Sequence, residues 1–417
     1  MSTPRLGTID LSDREFWGGP PHRRHEVFDL LRRESPFAFF AEPVIPHVPV
    51  GPGYHAVTRY ADVEAISSRP TLFASGSGAV TIQDVPPDLN EFYGSLISMD
   101  DPRHGKIRRI VAKAFTPRVL EKLVGSVQAV ADDVVARARR TAEDGDGSID
   151  VVADLAAPIP LRVICDMMGI PDDDRAMVLQ HSNVILSGGD PELIEDEEFT
   201  VTAFLQAGEA LAGLMTRLAV ERLARPADDL TTALVTTEVD GERLTNQEIA
   251  SFFILLLVAG NETTRNAISQ GVLALSEHPA ERARWAAEPG LTRTAVEEIV
   301  RWTSPITWMR RTATQDVELS GQTFPQGSKF LLFYGAANRD PAVFADPHRF
   351  DLSRDPTRTS GSAPAARTSA WAPTWPGGRS AWPSARSSTG CRTSRSPGSR
   401  RACSPRSSTA SSGCRPG

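Results

Sequence analysis

The sequence predicts a mainly α-helical protein with a small β region, followed by a tail of a different kind. Three observations point there. Apolar residues recur at helical spacing through most of residues 1–356, while β-rich runs are few and short. The chain's 40% hydrophobic and 23% charged content suits a globular protein with a sizeable core. From Thr357 to Gly417 there is no Leu, Ile, Val, Phe, Met, Lys, Asp or Glu. The periodicity runs without a linker to Pro356, so residues 1–356 read as one domain and 357–417 as a tail with nothing to bury, expected to be disordered.

The elements follow in order. "RRHEVFDLLRRES" gives a helix with Val27, Leu30 and Leu31 on one face. "YHAVTRYADVEAISSRP" reads as a short strand and then a helix. "HGKIRRIVAKAF" is amphipathic through Ile107, Ile110, Val111 and Phe115, and it sets His104 and Arg108 four apart on one side. "VLEKLVGSVQAVADDVVARARRTAEDG" is a long helix closed by Gly145. Short β signals sit at "HAVTRY", "DVELSG" and "KFLLFYG", and "MRRTA" places Arg310 and Arg311 just ahead of a β segment.

The segment from Thr245 to about residue 276 is the most informative. Thr245 and Glu248 form a T-x-x-E capping box. "IASFFILLLVAG" is apolar all round, which implies a buried helix. In its middle stands the polar run "NETTRN", after which apolar character resumes with "AISQGVLAL". Polar groups inside a buried helix cost several kcal/mol unless satisfied. A mid-helix Thr hydroxyl can bond the carbonyl four residues back and bend the helix. The segment is either a solvated kink or a groove where a ligand meets proton donors. "AVEEIVRW" adds Glu298 and Arg301 three apart on one helical face, by itself a common surface pair.

Charge and cysteines exclude several classes. The tail holds ten arginines and no acid; without them 35 basic residues face 52 acidic ones, so the body is strongly acidic. That argues against nucleic acid as the main partner. The N-terminal "MSTPRLGTIDLSDREFWGG" has no apolar stretch of the signal-peptide kind. The longest apolar run, "FFILLLVAG", is short of the roughly 20 residues a membrane span needs, so a cytoplasmic location is expected. Cys165, in apolar "LRVICDMMGI", reads as a buried small hydrophobe. Cys391, Cys403 and Cys414 have no CxxC or histidine pattern and support neither a zinc site nor a disulfide framework.

In this order, "HGKIR", "AGNETT", "EEIVR", "AANRDP" and "ADPHRF" resemble the pattern of the cytochrome P-450 family over about residues 15–356. "ICDMMGIP", "DGERL" and "EIASFFILLLVAGNETTRNAI" look like the actinobacterial subgroup that hydroxylates methyl-branched lipids and sterol side chains. The resemblance implies the cytochrome P-450 fold, haem b with its iron, dioxygen, a hydrophobic small-molecule substrate, and electrons from a ferredoxin and its reductase. It implies that Thr263, with Glu262, holds dioxygen and relays protons to it, and that Gly260 leaves room beside the haem. His104, Arg108 and Arg311 correspond to haem-propionate anchors. Glu298, Arg301 and Arg349 correspond to a buried salt-bridge cluster. The loop Ser75–Ser98 corresponds to a lining of the substrate pocket.

One family motif is absent. The family carries its axial cysteine, whose thiolate favours O–O cleavage, in a F-x-x-G-x-x-x-C-x-G motif soon after the segment matching "DPHRFDLSRDP". No such motif occurs here. From Thr357 on, only Thr, Arg, Ser, Gly, Ala, Pro, Trp and Cys appear. These are the residues whose codons carry C or G in the middle position, which is what a GC-rich gene yields when read one base out of phase. Back-translated with GC-rich codons, the tail permits "NPHLGFGARGPHFCLGAHLARREI", then "VAFREIFDRLPD" and "EPARLLSTFINGIKRLP" in the neighbouring phase. The expected cysteine then falls at Ala370. The sequence thus reads as a haem-dependent monooxygenase with its phase lost near Pro356, and the chain as written is expected to be inactive. The alternative is a non-enzymatic all-α ligand-binding protein. An Arg-rich nucleic-acid arm is the weaker third reading, since phase loss accounts for the arginines.

Overall fold

The computed structural model describes residues 6–44, 49–187 and 197–355. The segment from Thr357 on, with Ala370 and the three tail cysteines, lies outside the described residues.

The mainly helical reading holds. The core of the helical part is built on Arg103–Ala114, Pro158–Met168, Asp172–Ser187, Glu197–Ala224 and the central helix that begins at Asn246. Thr245 and Glu248 close the expected capping box: the Glu248 N–H donates to Thr245 Oγ1 at 3.1 Å and the Thr245 N–H to Glu248 Oε2 at 2.9 Å. Every residue from Ile249 to Leu257 is buried. Each large apolar side chain there contributes roughly 1.5–3 kcal/mol by leaving water. The long helix Pro117–Asp144 ends at Gly145, as its sequence suggests.

The β region has a five-stranded sheet in the order β1 (Phe39–Phe40), β2 (Tyr54–Val57), β7 (Lys329–Phe333), β4 (Trp308–Ala313), β3 (Phe73–Ala74). β2 pairs parallel to β7 through His55↔Phe330, and β4 pairs antiparallel to β7 through Arg311↔Phe330. All five residues of β7 are buried, which explains its continuous apolar run rather than an alternating one. Strands β5 (Val317–Leu319) and β6 (Gln322–Phe324) form a hairpin over Ser320 and Gly321. Both turn residues have positive φ, 47° and 78°, as a primed two-residue turn requires.

One expectation is corrected. Arg310 and Arg311 do not precede a strand but lie within β4, where the alternation of the pleat sends their side chains to different surroundings. A second finding refines the loop Ser75–Ser98, which contains a helix, Pro87–Gly94. Tyr93 fastens it, donating its hydroxyl to the Phe204 carbonyl at 3.0 Å, and Ser251 of the central helix donates to the Glu91 carbonyl at 3.0 Å.

Candidate active site

The polar run in the central helix coincides with a change of winding. The helix is α-helical over Asn246–Leu255, widens into π turns over Leu256–Asn261, and continues as α-helix over Glu262–Glu277. Gly260 and Asn261 lie in the wide turns, and Glu262 and Thr263 follow at once. Such bulges need an internal reason, and they gather at functional sites. The Thr263 hydroxyl donates to the Ala259 carbonyl at 2.6 Å, four residues back, which ties this side chain to the wide turns. Glu262 is held by Arg265 and by Asn266 Nδ2, the latter at 2.9 Å. Asn261 is only 2% exposed, and its Oδ1 has no partner among the described residues. A Cβ on Gly260 would stand 3.3 Å from Ile164 Cδ1, so the small residue keeps the wide turn close to the helix Pro158–Met168.

A second group converges on Asp100. His104 is buried on the helix Arg103–Ala114, and Arg108, one turn on, is half-buried. Arg311 is only 3% exposed. Asp100 acts electrostatically on both His104 and Arg311, and Arg108 acts on His104, so all three sequence-identified groups are brought together. Burial holds the His104 imidazole below its ordinary value, against the opposing pull of Asp101, and leaves it neutral near pH 7. Its Nε2 is buried without a partner among the described residues. Burial also lowers Arg311, while Tyr334 and Asp100 favour its charge; a guanidinium stays protonated all the same. Asp100 is itself fixed by the N–H groups of Ser75 and Gly76, each at 2.8 Å, so it links these side chains to the start of the loop Ser75–Ser98.

A segment further along that loop is clasped to the sheet. Arg310 donates to the Ile82 carbonyl at 3.0 Å and to Asp84 Oδ1 at 2.5 Å. Lys329 reaches Asp84 at 3.1 Å and Glu42 at 2.7 Å, and the Lys329 and Glu42 side chains are both buried. Burial alone would raise Asp84, but Arg310 and Lys329 outweigh it and hold the carboxyl below its ordinary range.

The buried ion cluster differs from its expected membership. Glu298 and Arg301 are both 0% exposed and pair at 2.7 and 2.8 Å. Arg349 enters only through its carbonyl, which accepts from Arg301 at 3.3 Å, while its side chain is exposed. The second guanidinium on Glu298 is that of Arg354, at 3.1 Å. The tight turn that lets the Arg349 N–H bond the Asp346 carbonyl brings the later arginine inward. Asp100, Asn261, Arg265, Asn266 and Arg354 were not singled out from the sequence. Asn261, Arg265 and Asn266 stand inside the quoted polar run, whereas Arg354 carried no spacing signal.

Comparisons with known proteins identify the family. The family model "Cytochrome P450" matches residues 219–360. The methyl-branched lipid omega-hydroxylase of Mycobacterium tuberculosis is 47% identical over 352 residues, covering 84% of this chain and 81% of the relative. This chain belongs to the cytochrome P450 family. A steroid C26-monooxygenase of Mycolicibacterium smegmatis is 35% identical, covering 73% of this chain and 69% of that protein. Among solved structures, a Mycobacterium marinum cytochrome P450 in complex with pseudoionone superposes with TM-score 0.74 at 37% identity, covering 89% of this chain and 90% of that one.

The family uses haem, and the described residues fit it on one side only. The neutral, partnerless His104 Nε2 and the buried Arg311 cation suit the carboxylates of a haem edge. An axial thiolate is another matter. The one cysteine among the described residues is Cys165, 1% exposed in an apolar cluster, and burial pushes its thiol up to about 12. It is a neutral thiol at pH 7, not an electron-donating ligand. Among the described residues no group of three or more His, Cys, Asp or Glu could hold a metal ion, and no helix is long and apolar enough to cross a membrane.

Proposed function

We propose that this chain is the body of a haem-dependent monooxygenase that hydroxylates a hydrophobic lipid or sterol-type substrate with dioxygen and ferredoxin-delivered electrons. We further propose that its phase is lost near Pro356, so that the chain as written lacks activity. The observation that carries the first part is the widened turn of the central helix, with Gly260, Asn261, Glu262 and Thr263 in an otherwise apolar segment. The 47% identity to a methyl-branched lipid omega-hydroxylase supports the substrate class.

In this reading His104, Arg108 and Arg311 anchor the cofactor's carboxylates. Haem supplies the dioxygen activation that no side chain provides. Thr263, with its hydroxyl on the Ala259 carbonyl, and Glu262, held by Arg265 and Asn266, pass protons toward the groove above Gly260. The loop Ser75–Ser98, clasped through Asp84 and bound to Asp100, closes the substrate side and excludes water.

The second part rests on the tail's eight-letter alphabet. The end of the family-model match at residue 360 supports it. In this account residues 1–356 are the enzyme's body and 357–417 a non-native extension. The alternative, a non-enzymatic lipid-binding protein, is favoured for the chain as written by the chemistry of Cys165. A repaired chain, in phase after Pro356, supplied with ferredoxin and its reductase, tests the proposal. A hydroxylated methyl-branched fatty or sterol product is expected. Oxygen consumption with no such product across both substrate classes contradicts the substrate assignment.

A further inference from the structure

The connection between β1 and β2 shows solvent an apolar face and keeps its charge inside. From Phe37 to Ala56 every described residue that is exposed is apolar: Phe39, Ala41, Val44, Pro49, Val50 and Pro52. Val44 is 81% exposed, Phe39 58% and Val50 57%. Surface connections ordinarily carry polar turn formers, because their backbone and side chains meet water. Here the stretch from Pro43 to Thr58 has no Asp, Glu, Lys or Arg. Glu42, next to it in the chain, is buried. It accepts from the N–H groups of Gly51 and Gly53 at 3.2 and 3.4 Å, and from Lys329 at 2.7 Å. An exposed apolar patch that folds its neighbouring charge away marks a surface made to be covered.

We infer that this connection is a lipid-docking surface, which seats the protein on a zwitterionic bilayer beside the loop Ser75–Ser98. Its chemistry selects the occupant. Lys329 and Arg310, the cations at its base, are buried and committed to Glu42 and Asp84, so neither draws an acidic protein or an anionic headgroup. The body, with 35 basic residues against 52 acidic ones, is repelled by an anionic surface. A second copy is a poor fit. Pro43, Pro46, Pro49 and Pro52 have no N–H to offer an added strand, and β1 itself is two residues long. A stable protein interface takes roughly 20–30 residues a side. A lipid surface needs only a few apolar side chains inserted, with no matching contour. The position suits a lipid substrate. The Gln83 amide donates to the Pro43 carbonyl at 3.0 Å, and Lys329 spans Glu42 and Asp84, so the docking surface is fastened to the loop. Val80 of that loop is itself 50% exposed. The link to substrate entry rests on the function proposed above; the docking surface does not.

The test uses the full 417-residue chain. The vesicles are phosphatidylcholine alone, at raised salt, so that the tail's arginines bring no binding of their own. The chain is expected to float with the vesicles. Val44→Asp combined with Val50→Asp is expected to weaken binding roughly tenfold or more. Both positions are exposed, so the melting temperature is expected to stay within a few degrees. Val44→Leu is expected to strengthen binding several-fold. Val220→Asp, at a residue 58% exposed on the helix Glu197–Ala224, is the control and is expected to change nothing. No flotation, flotation with anionic vesicles only, an equal loss in Val220→Asp, or binding unchanged in the paired variant overturns the docking surface. So does a dimer of the lipid-free chain that the paired variant dissociates, since a second copy would then be the occupant. Product formation separates the two claims. Vesicle binding with no hydroxylated lipid from the repaired chain overturns the substrate assignment and leaves the surface standing. Hydroxylated lipid with no vesicle binding overturns the surface alone.

Discussion

Glu298→Gln probes the buried ion cluster. Glu298 accepts from Arg301 Nε and a second Arg301 nitrogen at 2.7 and 2.8 Å, from Arg354 at 3.1 Å and from the Asp351 N–H at 3.0 Å. Neither Glu298 nor Arg301 is exposed. The amide keeps the size of the carboxylate but loses its charge, and one of its two ends becomes a donor facing a guanidinium. Breaking a fully buried pair by removing one partner costs roughly 3–5 kcal/mol, because the remaining charge is left uncompensated. Arg301 keeps its bonds to the Asn338 and Pro347 carbonyls at 2.8 and 3.0 Å, which places the expected loss at about 3 kcal/mol, the lower end of that range. Urea denaturation of the 417-residue chain, followed by tryptophan fluorescence, measures it. A loss below about 1 kcal/mol for Glu298→Gln refutes the claim that a buried, mutually dependent pair holds this region.

Other outcomes follow from the same geometry. Asp84→Asn weakens the clasp on the loop, so amide hydrogen exchange at residues 79–83 is expected to quicken several-fold while the helical core is unaffected. Asp84 is held below its ordinary value, so its contribution is present above an unfolded-state value of about 3.9 and is lost as pH falls through the lower folded one. His25 behaves otherwise: pushed down to about 3, it is neutral when folded, and the unfolded chain binds its proton first. Stability is therefore expected to fall as pH drops from about 6.5 toward 3. His25→Phe is expected to flatten that fall in acid-titration melts. Thr263→Ala removes one hydroxyl bonded to the Ala259 carbonyl, with stability expected to change by less than about 1.5 kcal/mol and hydroxylation by the repaired chain to drop sharply.

Much of this was legible in the sequence because the signals were redundant. Thr245 and Glu248 fixed the start of the central helix by local chemistry, and its apolar run announced burial. The polar interruption announced a site but not its geometry. Nothing in the letters "VAGN" distinguishes a π turn from an α turn, since the choice depends on packing against the helix Pro158–Met168. Glu298 and Arg301 were identifiable three apart on one face, but their third partner was not. Arg349 and Arg354 differ by a turn whose path is set by tertiary contacts, not by spacing. The gathering of His104 and Arg311 near Asp100 joins residues some two hundred positions apart. The family resemblance supplied that link, and periodicity could not.

The measurement that bears most directly on the central claim is the absorption spectrum of the reduced, carbon monoxide-bound protein, which reports thiolate ligation of haem iron. The account predicts no thiolate-type band from the 417-residue chain, because Ala370 stands where the cysteine is expected and Cys165 is a buried neutral thiol. It predicts that band from a chain restored to phase after Pro356. A thiolate-type band from the chain as written, or its absence from the restored chain, contradicts the account.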